Sequence, residues 1–192
     1  MGKESEIAIL NINKKEVVKR LHELRAKHTG KHRFRRIEFV LRGDIKGDHS
    51  WGRIRTDGKK TTMTVKETHG KGGFTSMSEH EVNVDDFEET VRIMKRLVNS
   101  KIFFYFENTR DAYLLRKSQI TIDKWPKIPT FVEIEASSMK EVKDIYKLLK
   151  IRGRLVGNLP MHKIYGFYGL KFREVMEKNE PKLKKILNNS PK

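Results

Sequence analysis

The sequence contains no cysteine. That excludes disulfides and thiolate metal sites, so a metal would be held by oxygen or imidazole, which favours Mg²⁺ or Mn²⁺ over structural zinc. No apolar run approaches the roughly 20 residues of a membrane-spanning helix, and no secretory leader pattern opens the chain. A soluble cytoplasmic protein with no membrane partner is therefore expected. Also missing are a nucleophile elbow, a Walker loop and a Rossmann glycine pattern, and the histidines show no metal-ligand spacing. Acidic residues are in short supply, with 25 Asp and Glu against 42 Lys and Arg, a net charge of +17. Such a surplus implies a polyanionic partner, such as nucleic acid, nucleotide or polyphosphate.

What is present is a repeated pattern of carboxylates. Glu4 and Glu6, Glu79 and Glu81, and Glu133 and Glu135 stand two residues apart, and each pair precedes a helical pattern. In an extended strand, residues i and i+2 share a face, so each pair presents two like charges side by side. That is unfavourable unless a cation lies between or opposite them. A metal ion would serve, and so would the abundant Arg and Lys. Glu133 and Glu135 are embedded among Phe131, Val132 and Ile134, where a free charge would be costly.

The rest of the pattern predicts an α+β domain. Helices are expected over Asn13 to Lys27, after Asp85 (a cap, with Glu88 in the capping-box position), and after Ser138 with Glu141. Strands are expected over Glu4 to Ile12, Arg33 to Leu41, Trp51 to Arg55, Lys60 to Glu67, Lys101 to Leu115, Gln119 to Asp123 and Thr130 to Glu135, with Asp57-Gly58 as a hairpin turn. Gly70 to Gly73 and Gly43 to Ser50 look like flexible loops, and the tail from Tyr165 to Leu187 is helical in pattern with a break near Pro181. Many antiparallel strands with helices outside point to a barrel or strongly curved sheet. A charged barrel interior would have to be a wet, ligand-filled tunnel. One domain over 1–192 is expected, with a core of about 4–149 and a helical extension of about 160–187.

Alternation also places Arg53 and Arg55 on one strand face and Thr62, Thr64 and Lys66 together across the hairpin. Inward-pointing, Arg53, Arg55 and Lys66 would make a cationic wall suited to phosphoryl oxygens, which guanidinium binds through two parallel hydrogen bonds. His80 falls on the face opposite Glu79 and Glu81.

In order along the chain, Glu4-x-Glu6 before AILNINKKEVVKRL, WGRIRTDGKKTTMTVKE, EHEVNVDDFEETVRIMKRL and ITIDKWPKIPTFVEIEASSMKEVKDIYKLL resemble the CYTH superfamily. These are the triphosphate tunnel metalloenzymes, which include class IV adenylyl cyclases, thiamine triphosphatases and inorganic triphosphatases. The resemblance runs from about Glu4 to Leu149, and its most specific stretch is ITID-WP-IPTFVEIE. It implies an antiparallel β-tunnel. It implies metal ligation by Glu4, Glu6, Glu133 and Glu135, with Glu81 assisting, and triphosphate binding by Arg53, Arg55, Lys66 and Arg110. Asp123 would be a further lining residue, and Glu4, Glu6 and Lys66 would be catalytic. Two positions depart from the family pattern. Ala8 stands where Glu-x-Glu-x-Lys has its lysine, and Asn108 stands where a basic residue is usual two before Arg110.

The function implied is metal-dependent hydrolysis of a triphosphate group on a small molecule, with Mg²⁺ or Mn²⁺ as cofactor. A class IV adenylyl cyclase would use the same site to make cyclic AMP and pyrophosphate from ATP. A non-catalytic binder of polyphosphate or of triphosphorylated RNA ends is the third reading, motivated by Ala8, Asn108 and the net charge.

Overall fold

A computed structural model describes residues 5–45, 48–69, 76–98 and 102–188. Its nine strands form an antiparallel sheet accompanied by helices, an α+β architecture. The chain folds as two compact units, Met1–Arg33 with Asn108–Gly169, and Phe34–Glu107 with Leu170–Lys192.

In the first unit, β1 (Ser5–Leu10) lies between β8 (Phe131–Ala136) and the short β9 (Arg154–Gly157), and β7 (Ser118–Lys124) joins β8 to the second half of β6 (Phe103–Leu115). The inward alternation of Ile7 and Ile9, Ile120 and Ile122, and Val132 and Ile134 builds one apolar face. Helices α1 (Lys14–Glu23) and α3 (Met139–Leu149) cover it with Val17, Leu21, Val142, Ile145 and Leu149. Both helices start where the sequence says. The Asn13 side chain accepts the Lys15 and Glu16 amides at 3.0 and 3.4 Å, and Ser138 Oγ accepts the Glu141 amide at 3.2 Å, satisfying donors that a first helical turn leaves open. Helix α3 ends at Lys150, whose φ of 50° is left-handed.

In the second unit the strand order is β5 (Ser76–Val84), β4 (Thr61–His69), β3 (Asp48–Thr56) and β2 (Lys27–Ile45). Its apolar face carries Ile37, Phe39 and Ile54, joined by Phe103 and Tyr105 of β6, and is covered by Phe87 and Val91 of α2 (Phe87–Leu97) and by Leu183 and Ile186 of α6 (Glu180–Asn188). Arg92 Nη1 ties the two helices by donating to the Ile186 carbonyl at 3.0 Å. Gly52 sits opposite Phe39 in the β2–β3 ladder, and a Cβ there would lie 2.2 Å from the Phe39 ring. Only glycine lets that ring lie across the strand to stack on Phe103, centroids 5.1 Å apart.

Several boundaries differ from the sequence expectation. Asp86, not Asp85, caps α2, accepting the Glu89 amide at 2.8 Å. The Gly43 to Ser50 stretch is largely strand, since β2 runs to Ile45 and β3 starts at Asp48. The glycines at 70–73 lie outside the described residues. The tail is three short helices, α4 (Met161–Gly166), α5 (Phe172–Glu177) and α6. The expected break near Pro181 falls just before it, between Glu177 and Glu180. The residue sits in the first turn of α6, where its missing N–H is harmless. Among the described residues, no helix is long and apolar enough to cross a membrane.

Candidate functional site

The sheet of the first unit has a charged face on the reverse of its core. Glu6 stands opposite Glu135 in the β1–β8 ladder, and Ala8 opposite Glu133. Glu133 pairs in turn with Thr121, and Arg110 with Asp123. Because partners in a ladder share a face, Glu6, Glu133, Glu135, Thr121, Asp123 and Arg110 line it together. Arg110 is its organising cation. Its Nε donates to both Asp123 oxygens, at 2.9 and 3.1 Å, and its Nη2 reaches Glu133 Oε2 at 2.7 Å. Thr121 Oγ1 donates to Asp123 at 2.8 Å. Burial alone would lower the Arg110 pKa, but Asp123, Glu133 and Glu6 outweigh it and hold the pKa above its ordinary value.

Asn108 explains part of how a fully buried Asp123 is accommodated. Its Nδ2 donates to Asp123 Oδ1 at 3.3 Å, a contact that fixes which way the amide points. Its buried Oδ1 then has no hydrogen-bond partner among the described residues.

The second unit carries a basic face. Cross-strand pairing aligns Arg36 with Arg55 and Glu38 with Arg53, Arg53 with Thr64 and Arg55 with Thr62, and Lys66 with Glu79 and Thr64 with Glu81. Lys66 Nζ lies 2.6 Å from Glu79 Oε2. Arg53 Nη2 is 3.4 Å from Glu79 and 3.7 Å from Glu81, and Arg55 Nη2 is 3.9 Å from Glu81. Thr64 Oγ1 donates to Glu81 at 2.9 Å. The partial burial of Glu81 would raise its pKa, yet the Thr64 hydroxyl and the Arg55 and Arg53 guanidiniums win and hold it below the usual value. Glu38 goes the other way. Burial pushes its carboxyl up, and Arg36, Arg53 and Lys66 offset this only in part. Arg53 Nε is buried with no hydrogen-bond partner among the described residues.

The residues expected from sequence therefore fall into two groups. Glu6, Glu133, Glu135, Arg110 and Asp123 share one face, while Arg53, Arg55, Lys66 and Glu81 share another. Glu81, expected to assist a metal, is grouped with the guanidiniums. Glu4 lies outside the described residues. His80 is exposed, paired with Val65 and away from Glu79 and Glu81, as alternation requires. Sequence reasoning passed over Glu38, although its alternation with Ile37 and Phe39 carries the same signal that identified Arg53 and Arg55.

The donor chemistry of the acidic face suits a hard divalent cation, since every candidate ligand is a carboxylate oxygen. Among the described residues, no three carboxylates are gathered at metal-binding spacing, and Glu133 is already engaged by Arg110. Glu6 and Glu135, directly opposed, are the pair best placed to hold an ion.

No family model matches the chain, and no curated protein matches it. Solved structures do. A conserved hypothetical protein from Pyrococcus furiosus aligns with a TM-score of 0.63 at 21% identity, over 79% of this chain and 96% of that one. A candidate adenylate cyclase from Vibrio parahaemolyticus gives a TM-score of 0.60 at 10% identity, over 78% of this chain and 90% of that one. A candidate adenylyl cyclase from Hippeastrum, described as revealing a dominant triphosphatase activity, gives 0.58 at 15% identity, over 91% of this chain and all of that one. Two of these three neighbours are thus named as candidate adenylate or adenylyl cyclases. At these identities the likeness is one of fold.

Proposed function

We propose that this protein is a divalent-metal-dependent phosphohydrolase acting on a triphosphate group, with the sheet curved into an antiparallel tunnel. The observation that carries the reading is the basic face, where Arg53 keeps a buried Nε–H without an acceptor among the described residues beside Arg55 and Lys66. An unmet buried donor costs about 1–3 kcal/mol, and a phosphoryl oxygen would satisfy it through a charge-assisted bond.

In this reading Arg53, Arg55 and Lys66 bind and orient the phosphate chain and offset the charge that develops on its oxygens. Glu79 and Glu81 hold those cations in place until substrate competes for them. Glu6 and Glu135, with Glu133 and Glu4, would hold Mg²⁺ or Mn²⁺. That ion, when bound, would neutralise phosphate charge and lower the pKa of an attacking water. Arg110 positions Glu133 and neutralises Asp123.

Adenylyl cyclase chemistry is the second reading, favoured by the fold likeness to candidate cyclases. Product analysis after incubation with tripolyphosphate or ATP separates the two. Orthophosphate release that stops with chelator and in Glu133→Gln/Glu135→Gln supports the hydrolase. Cyclic AMP with pyrophosphate supports the cyclase. Anion binding that persists in that double variant, with no turnover of any triphosphate, would overturn both in favour of a binding protein.

A further inference from the structure

The surplus of positive charge is unevenly distributed, and most of it has nothing to do with the charged sheet faces. The described residues of the first unit carry twenty Lys and Arg against nine carboxylates. Four of those nine, Glu6, Asp123, Glu133 and Glu135, belong to the acidic sheet face, to which the unit's Arg110 also belongs. The remaining surface of that unit therefore has nineteen cations for five carboxylates. In the second unit, by contrast, pairing is the rule. Arg35 meets Glu88, Arg92 meets Glu89, Arg173 meets Glu177, and Lys182 meets Glu107, all within 2.8 Å.

The unpaired cations of the first unit include a coherent group around α1. Lys15 and Lys19 are exposed, lie one turn apart on that helix, and make no ion pair among the described residues. An open depression separates α1 from the Leu149–Arg152 turn and is lined by Lys19, Arg20, Lys150 and Arg152 together with Glu16 and Glu23. A second depression, on Lys14, Lys15, Lys19 and His22, runs along the same helix. The far wall of the first is fixed in place. Arg20 donates to the Leu148 carbonyl through Nε and Nη2 at 3.3 and 3.0 Å. Gly153 lets the turn press on β1, where a Cβ would fall 2.6 Å from the Leu10 carbonyl. Arg20 is additionally held by Glu23 at 3.0 Å, which leaves Lys19, Lys150 and Arg152 as the available charges of the groove, with Lys15 beside it on the adjoining depression.

We propose that this groove binds a single nucleic-acid strand through its phosphates, independently of the triphosphate site. Three unpartnered cations lining a shallow groove on a rigid frame, continued by Lys15 one turn away from Lys19 on α1, suit a linear polyanion better than a compact one. The groove lies between a helix and a turn, so a flexible strand can follow it, whereas a duplex would touch only its rim. No aromatic side chain lines the groove, so binding is expected to be electrostatic, indifferent to sequence and strongly salt-dependent.

The test is fluorescence anisotropy with a labelled RNA oligonucleotide of about 20 nucleotides bearing a 5′-hydroxyl, so that no triphosphate is offered. Wild type is compared with K15E/K19E/K150E/R152E and with K59E/K60E/R96E/K178E, an equal charge change on exposed residues of the second unit. The groove variant should lose at least about tenfold in affinity, and its log K–log salt slope should shrink by about 3 for four lost phosphate contacts. The control should stay within about threefold of wild type, since its charges act on the strand only through screened, longer-range attraction. A milder K15Q/K19Q variant, whose fold is not strained by repulsion, should fall in between. Equal losses in the two quadruple variants would mean net charge alone is at work, and would overturn the proposal. So would tighter binding of a duplex, or no binding by wild type at about 0.1 M salt. Because Glu133→Gln/Glu135→Gln should leave RNA affinity unchanged, failure of the hydrolase reading and failure of this one are separately visible.

Discussion

Ala8 lies directly across the β1–β8 ladder from Glu133, and the cation that satisfies Glu133 comes from Arg110 on β6, with Nη2 2.7 Å from Oε2. In the resembling family a lysine occupies the position of Ala8. Here one guanidinium serves both Asp123 and Glu133, so its capacity to bind phosphate is largely committed to the protein itself.

Restoring the missing charge should therefore help. Ala8→Lys places an ammonium beside Glu133 and frees Arg110 from it. We expect kcat/KM for tripolyphosphate to rise about three- to tenfold, about 1 kcal/mol of transition-state stabilisation. Unchanged or lower activity in a folded variant would mean that Arg110 already supplies what the lysine would.

Removing Arg110 exposes the opposite dependence. Asp123 is fully buried, and Arg110→Ala leaves its charge facing only Thr121 and Asn108. Breaking a buried pair from one side costs about 3–5 kcal/mol. Urea unfolding should show a loss of that order. Adding Asp123→Asn should recover part of it, because the double variant strands no charge.

Glu38 supplies a pH test. Its folded pKa is raised by burial, so the folded state holds that proton more tightly than the unfolded chain does. Its stabilising contribution is full below the unfolded value of about 4.3 and is lost as pH rises through the folded value. Glu38→Gln does not titrate. The stability of the variant relative to wild type should improve from pH 4 toward neutrality, as read from unfolding midpoints in the same buffer series. A difference independent of pH would show that the Arg36, Arg53 and Lys66 charges compensate Glu38 fully.

Gly52→Ala addresses packing without touching charge. The new methyl would sit 2.2 Å from the Phe39 ring, and relief requires shifting a ring stacked on Phe103. Overpacking of this kind costs about 1–3 kcal/mol. Phe39→Leu in the Gly52→Ala background should recover part of the loss, whereas full additivity would place the strain elsewhere.

Much of this fold was legible because its signals are local. The caps at Asn13 and Ser138 act within three residues, and the stripes of α1, α2 and α3 repeat within one helix. Alternation along β3 and β4 correctly grouped Arg53 and Arg55, and Thr62, Thr64 and Lys66, since a pleated strand has a fixed period. The misses also have local causes. Asp85 and Asp86 are equally good caps by composition, and only the position of the first turn decides between them. Strand β9, at Arg154–Gly157, was invisible because its four residues, none of them buried, carry no alternation and exist as a strand only by pairing with β1.

The sequence alone determined the α+β class, the faces on which the carboxylates and guanidiniums lie, and the excess of cations, because each depends on side-chain identity and a backbone period of two or 3.6 residues. Tertiary structure decided who partners whom. That Glu133 is held by Arg110 rather than by a residue at position 8, that Glu81 joins the guanidiniums, that Asn108 braces Asp123, and that Lys19, Lys150 and Arg152 border one groove all depend on strand register and on packing between residues far apart in the chain, which no local periodicity encodes.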